Sequence, residues 1–220
     1  MSYGMFIDTT RCIACKACQV ACKQWNRLPA EKTDNVGTLQ NPQDLSFSTY
    51  RLVRMQEQII DGQVRWLFFP DQCRHCRVAP CLLRAKNGSA IYQDKDTGAV
   101  LYTSKTSGLE GQELKQACPY NVPRSNTDGV LAKCTLCNDR LRQQQEPACV
   151  QACATGCLNF GELDDMLEMA HERLDRVKTS FPEARLLDPE NVRVIFLTAF
   201  SPDYYHDYAV SFDPSLWRSR

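Results

Sequence analysis

Cys12, Cys15, Cys18 and Cys22 follow the spacing C-x-x-C-x-x-C-x-x-x-C, and Cys134, Cys137, Cys149 and Cys153 form a second set more than a hundred residues later. Thiolates in a tight C-x-x-C-x-x-C loop can hold three corners of a [4Fe-4S] cubane while the loop turns its backbone N–H groups toward the cluster's negative charge. The fourth thiolate must come from elsewhere. A cysteine on the helix leaving such a loop points away from its own cluster and serves a neighbour. Reciprocal donation is therefore expected: Cys153 completes cluster 1 with Cys12, Cys15 and Cys18, and Cys22 completes cluster 2 with Cys134, Cys137 and Cys149. The chemistry this arrangement offers is one-electron transfer, tuned by hydrogen bonds, burial and charge around the sulfurs.

A third block, Cys73, Cys76 and Cys81, again offers three ligands, but Ala85 stands where a donating cysteine would follow. Cys118 is the converse, a donor with no trio ahead of it. The two fit each other, giving cluster 3 from Cys73, Cys76, Cys81 and Cys118 and three [4Fe-4S] clusters in all. A four-cluster pattern that lost one cluster would lack this set of residues. Cys157, the thirteenth cysteine, is expected to be a buried structural thiol and not a ligand.

Zinc is the rival for any C-x-x-C pair, yet three cysteines spaced by two leave too many thiolates too close together for one tetrahedral ion. An odd cysteine count, C-x-x-C clustering and no apolar leader at the start of the sequence disfavour a disulfide framework. His75 lies inside a cysteine loop, where it is expected to be a hydrogen-bond donor or a surface residue, since Cys118 already completes that quartet. His171 and His206 carry no functional signal. Lys16, Lys23 and Lys133 adjoin cluster ligands, where a cation would raise a cluster's potential, or are ordinary solvated lysines. Trp25 and Trp66 are expected to pack over the small core.

Twenty-six Lys and Arg balance 26 Asp and Glu, so no electrostatic footprint for nucleic acid is present. The longest apolar runs, 66–69 and 194–200, fall far short of the roughly 20 residues that span a bilayer, so no transmembrane segment is expected. No nucleophile, carboxylate pair or glycine-rich phosphate loop stands out, and the chain is expected to have no catalytic site of its own.

The cysteine loops need short elements to aim them. Tyr3–Ile7 reads as a strand entering the first loop, 17–28 as the helix leaving it, and 158–160 as a matching strand after the last loop. The middle offers a strand at 64–69, a hairpin of 90–93 and 99–103 turned at Asp96-Thr97-Gly98, and a helix over 109–116 stopped by Pro119. Residues 31–48 read as an exposed loop. Beyond, 163–177 has helical apolar spacing, 192–198 resembles a buried strand, and Tyr204, Tyr205, Tyr208, Phe212 and Trp217 mark an aromatic tail. The expected class is α+β: a first ferredoxin-like unit of residues 1–30 plus 130–161, a second inserted at 50–128, and a C-terminal docking helix, strand and extended tail at 162–220.

Over about residues 3–161 the sequence resembles the four-cluster iron-sulfur subunits of molybdenum and tungsten pterin oxidoreductases, through Cys12-Ile13-Ala14-Cys15-Lys16-Ala17-Cys18, Cys73-Arg74-His75-Cys76, Cys118-Pro119-Tyr120-Asn121-Val122-Pro123-Arg124 and Lys133-Cys134-Thr135-Leu136-Cys137-Asn138-Asp139-Arg140. Three clusters and a short tail look most like the beta subunit of soluble two-subunit formate dehydrogenases. The resemblance implies a large pterin-metal catalytic subunit as partner and a soluble acceptor such as a c-type cytochrome. The exit for electrons would lie at cluster 3 or at the cluster nearest the surface. The resemblance also implies periplasmic placement by co-export with the catalytic subunit, the alternative being cytoplasmic. Membrane-bound members carry a transmembrane helix in this subunit, and its absence here disfavours a quinone-linked assembly. Alternative functions are the equivalent subunit of a thiosulfate, polysulfide or sulfoxide reductase, a free polyferredoxin, and a zinc-stapled interaction module.

Overall fold

A computed structural model describes residues 2–211. Its elements in chain order are β1 (Tyr3–Asp8), α1 (Ala17–Trp25), β2 (Leu52–Ile60), β3 (Gln63–Asp71), α2 (Pro80–Ala85), β4 (Ile91–Gln93), β5 (Val100–Tyr102), α3 (Gly111–Ala117), β6 (Arg124–Ser125), β7 (Leu131–Ala132), α4 (Asn138–Leu141), α5 (Ala148–Gln151), β8 (Leu158–Glu162), α6 (Leu163–Lys178), β9 (Arg185–Leu187) and β10 (Val194–Thr198). Most are short, because much of the chain between them is cysteine loop.

One four-stranded sheet, in the order β8-β1-β10-β9, ties the chain ends together. β1 runs antiparallel to β8, with Tyr3 opposite Glu162 and Ile7 opposite Leu158, so the strands before the first loop and after the last lie side by side. On its other edge β1 pairs parallel with β10, Met5 opposite Val194 and Asp8 opposite Leu197. All five residues of β10 are buried, four of them apolar, as suits a strand between two neighbours. α6 covers the sheet with Leu163, Met166, Ala170 and Val177, the apolar side of an otherwise charged helix. Gly4 allows that approach: a Cβ there would stand 2.8 Å from the Leu163 side chain.

Of the segment 162–220, α6, β9 and β10 build the same sheet and core as β1. A run as apolar as Val194–Thr198 cannot leave this core without exposing every side chain. Tyr205 is buried as well, its hydroxyl accepting from the Ala199 N–H at 3.2 Å, whereas Phe212 and Trp217 lie outside the described residues.

β2 and β3 form a nine-pair hairpin that sequence reasoning recognised only in its second strand. Asp61 and Gly62 turn it, both with positive φ (52° and 72°), as a two-residue I′ turn demands. Its root is buried through Leu52, Val53 and Phe69, and its tip exposes Ile59, Val64 and Trp66. Trp66 and Trp25 are thus at the surface, not packed over the core. Trp25 instead stacks under Arg140 at 4.2 Å and donates to Asp139 at 2.9 Å. β4 and β5 form the expected hairpin. Residues 31–44 are irregular and largely exposed, but the segment is pinned by buried Leu45 and by Asp44, which accepts from Arg54 at 2.6 Å and Arg124 at 2.5 Å.

Beneath the sheet, Arg74 is buried among the rings of Phe196 (4.3 Å), Tyr120 (4.9 Å) and Phe69 (5.2 Å) and pairs with Asp71 at 3.0 Å. Asp71 also takes Arg54 at 2.8 Å. His206 stands 3.8 Å from the same carboxylate, yet burial outweighs that attraction and holds it down to about 4. The unfolded chain then binds this proton between about pH 6.5 and pH 4 and the folded chain does not, so stability falls as pH drops through that window. The contribution is roughly 3 kcal/mol at most. Thermal melts of the His206→Gln variant are expected to lack this part of the acid sensitivity.

Candidate iron-sulfur centres

The loops that carry the cysteines are held in backbone conformations that L-residues rarely adopt. Ala14, Lys16, His75, Leu136 and Cys137 all have φ between 46° and 61°. Alternating such residues with ordinary ones turns successive N–H groups to one side, forming an anion-binding concavity. The N–H groups duly reach sulfur: His75 donates to Cys73 Sγ at 3.4 Å, Leu136 to Cys134 Sγ at 3.3 Å and Val122 to Cys118 Sγ at 3.5 Å. All thirteen cysteines are free thiols.

The fold brings several cysteines from distant loops near one another. Cys18 and Cys22 lie one turn apart on α1, and Cys149 and Cys153 are four residues apart on and just after α5. Burial raises the Cys22 thiol, and the neighbouring sulfurs of Cys134, Cys149 and Cys137 add to that shift. Cys76 is raised in the same way by burial and then by Cys73, Cys118 and Cys81. That quartet lines one hollow together with Pro80, Val100, Tyr102, Pro119, Tyr120 and Lys133. Cys12 faces Cys153, and Cys18 faces Cys12. Cys15, in the same loop, is exposed.

Among the described residues, no three His, Cys, Asp or Glu side chains converge closely enough to hold one metal ion. Four thiolates spread around a hollow suit a cubane, whose corners each take one sulfur, and do not suit tetrahedral zinc.

Cys157 is buried at the foot of β8, its thiol beside those of Cys12 and Cys153. The neighbouring Cys157 thiol holds Cys12 below its usual value and Cys153 down to about 4, which favours the thiolate. A third sulfur beside the Cys12–Cys153 pair was not expected from the sequence. Cys157→Ala is expected to keep the full iron complement and Cys153→Ala to lose about four irons per chain, since each cubane holds four. Iron analysis of both variants checks the assignment, and the opposite pattern would make Cys157 the ligand.

The candidate cations divide. Lys133 is buried, donating to the Val100 carbonyl at 2.5 Å and the Cys134 carbonyl at 3.1 Å, and its charge acts on Cys76 and Cys81. Lys23 instead ties α1 to the 31–48 segment, reaching the Ser48 carbonyl at 2.7 Å and Glu31 at 3.4 Å. Lys16 likewise turns to the Leu39 carbonyl. His75 is fully buried, so it is no surface residue, and its Nδ1 accepts from the Val100 N–H at 3.1 Å. Burial, with Lys133 and Arg193 nearby, pushes its pKa well down.

Sequence reasoning missed Arg51. It is 1 % exposed, and its guanidinium faces the sulfurs of Cys149, Cys18, Cys22 and Cys134. The hairpin puts it there: pairing of Leu52 with Asp71 sets Arg51 opposite Gln72, the residue before Cys73. Sequence reasoning also missed the clamp on the Cys137 loop. Thr97 of the β4–β5 turn donates to Asn138 at 2.6 Å, and buried Asp94 accepts from Asn138 at 3.3 Å and Arg142 at 2.6 Å.

Residues 64–163 match the family model of a 4Fe-4S dicluster domain, and residues 3–24 that of a 4Fe-4S binding domain. Over 96% of its length the chain is 54% identical to the whole of the formate dehydrogenase subunit beta of Megalodesulfovibrio gigas. It is 45% identical, over 95% of the chain and 99% of the relative, to the formate dehydrogenase 2 subunit beta (cytochrome c-553) of Nitratidesulfovibrio vulgaris. The nitrate-inducible formate dehydrogenase iron-sulfur subunit of Escherichia coli is 38% identical, over 96% of this chain and 75% of the relative.

Proposed function

The chain belongs to the family of formate dehydrogenase beta subunits, the non-catalytic electron-transfer subunits of that enzyme, and from that premise we propose that it relays electrons through three [4Fe-4S] clusters. One end of the relay would face a large molybdenum- or tungsten-pterin catalytic subunit that oxidises formate or reduces carbon dioxide. The other would face a soluble acceptor such as a c-type cytochrome, in keeping with the name of the Nitratidesulfovibrio relative. Twelve cysteines would hold the clusters in the quartets Cys12-Cys15-Cys18-Cys153, Cys22-Cys134-Cys137-Cys149 and Cys73-Cys76-Cys81-Cys118, with Cys157 outside them. The reading keeps the domain division, with the unit of 50–128 inserted between 1–30 and 130–161, and it places the assembly in the periplasm by co-export with its partner.

The observation that supports this reading is the proximity of cysteines assigned to different quartets. Cys149 of the second acts on Cys18 of the first, and Cys73 of the third acts on Cys134 of the second. On this reading the quartets form a row with the second in the middle. All four cysteines of the middle quartet are buried, while Cys12, Cys15 and Cys153 of the first reach or approach the surface, beside exposed Ile13 and Val20. A row with a sheltered centre and one open end is suited to conduction.

The test is native purification under anaerobic conditions. A stable complex with a much larger chain, whose iron-sulfur absorbance bleaches on adding formate, supports the proposal. A brown protein running alone would mark a free carrier, and a complex that responds to thiosulfate, polysulfide or sulfoxide but not formate would mark another enzyme. Fractionation with the complex in the cytoplasm would overturn the periplasmic placement.

A further inference from the structure

Three arginines are buried near the base of the β2–β3 hairpin, and two of them have carboxylate partners. Arg54 pairs with Asp44 and Asp71, and Arg74 pairs with Asp71. Arg51 has none. Its Nη1 donates to Gln72 Oε1 at 2.5 Å, while Nε and Nη2 make no hydrogen bond to the protein. An isolated charge in this position would cost several kcal/mol, so a buried guanidinium needs an anion. Among the described residues, cysteine sulfurs face it, Cys18 and more weakly Cys12 from the first quartet, and Cys22, Cys134 and Cys149 from the second.

We infer that Arg51 is the counter-charge shared by the first two quartets, a positioning residue whose cation raises the reduction potentials of both clusters together and leaves the third nearly untouched. The inference rests on the three-cluster reading above. A cubane with four thiolates is anionic and gains a further negative charge on reduction, so a fixed cation beside it stabilises the reduced form more than the oxidised form. Placed between two such groups in a dry interior, Arg51 acts on both. Lys133 is the buried cation beside the third quartet. Gln72 holds the guanidinium from behind, and its own amide nitrogen is spent on Met5 Sδ at 3.4 Å. A sulfur-facing arginine would thereby shift the two neighbouring potentials together.

The test is a redox titration of the purified complex followed by EPR, with iron content measured on the same samples. In Arg51→Gln, the ratio of reduced to oxidised cluster at fixed potential is expected to fall about tenfold for the first two clusters, about 59 mV for a one-electron couple, and by much less for the third. Arg51→Lys, which keeps the charge, is expected to restore most of the shift. Iron content at the native level with no shift, an equal shift at all three clusters, or an equal shift in Arg51→Lys would each overturn the role of Arg51 while leaving the relay intact. A native complex lacking three clusters would overturn the relay itself. Should Arg51→Gln fail to assemble, Gln72→Glu neutralises the guanidinium in place. The cluster of Cys12, Cys15 and Cys18, whose sulfurs form no hydrogen bond with Gln72, is then expected to fall in the same direction, and no fall there overturns the inference.

Discussion

Replacing Cys22 by Ala is expected to cut the relay in two while leaving both ends in place. Cys22 is buried on α1, and its sulfur feels those of Cys134, Cys149 and Cys137, which belong to loops over a hundred residues away. No other cysteine stands ready to replace it there: Cys157, the spare thiol, faces Cys12 and Cys153. Iron should fall by about four atoms per chain, and with the middle of the row gone, transfer from formate to the natural acceptor should drop to background. Formate oxidation with a small dye that takes electrons at the catalytic subunit should continue. The comparison of the two assays on one preparation is the informative one. Equal loss in both would mean that Cys22 acts through folding or assembly, and equal retention would mean that electrons bypass this quartet.

Stripping iron from the native chain with a chelator is expected to abolish cooperative unfolding, a larger effect than any single core substitution. Ala14, Lys16, His75, Leu136 and Cys137 sit at positive φ, and each costs about 1 to 3 kcal/mol when nothing enforces it. Their sum is comparable to the roughly 5 to 15 kcal/mol that stabilises a whole domain. Burial also drives the metal-free thiols up, Cys137 to about 11 and Cys118 to about 12. Without iron the Cys137 and Cys118 loops would therefore hold neutral thiols. The four-stranded sheet under α6 has a conventional apolar core and should keep some secondary structure. Circular dichroism during anaerobic heating checks this: a sharp transition for the loaded protein and a broad, low one for the stripped protein are expected, and equal sharp transitions would contradict it.

What the sequence revealed depended on how local the cause was. The proposed quartets rest on the fixed spacings a cubane imposes on neighbouring cysteines, and on the match between the missing fourth in one block (Ala85) and the unclaimed donor in another (Cys118). The meeting of β1 with β8 followed from reciprocal donation. The burial of β10 was legible from its composition, but its partner was not: a parallel pairing between Met5 and Val194 leaves no periodic trace in either segment. β2 escaped because Arg54, Gln56, Glu57 and Gln58 break its apolar pattern, although Asp61-Gly62 was the turn signal that could have revealed it. Arg51 looked like any charged residue ahead of a polar strand. Only the hairpin register, which sets it beside Gln72, makes it a buried cation among sulfurs. Lys23 illustrates the reverse error, since adjacency to Cys22 in sequence says nothing about where a long side chain turns on a helix.

Total iron and acid-labile sulfide, counted per chain in anaerobically purified protein, test the central claim most directly. About 12 of each are expected, four for every cubane. Eight of each would remove one quartet from the row, and zinc without sulfide would contradict the relay altogether.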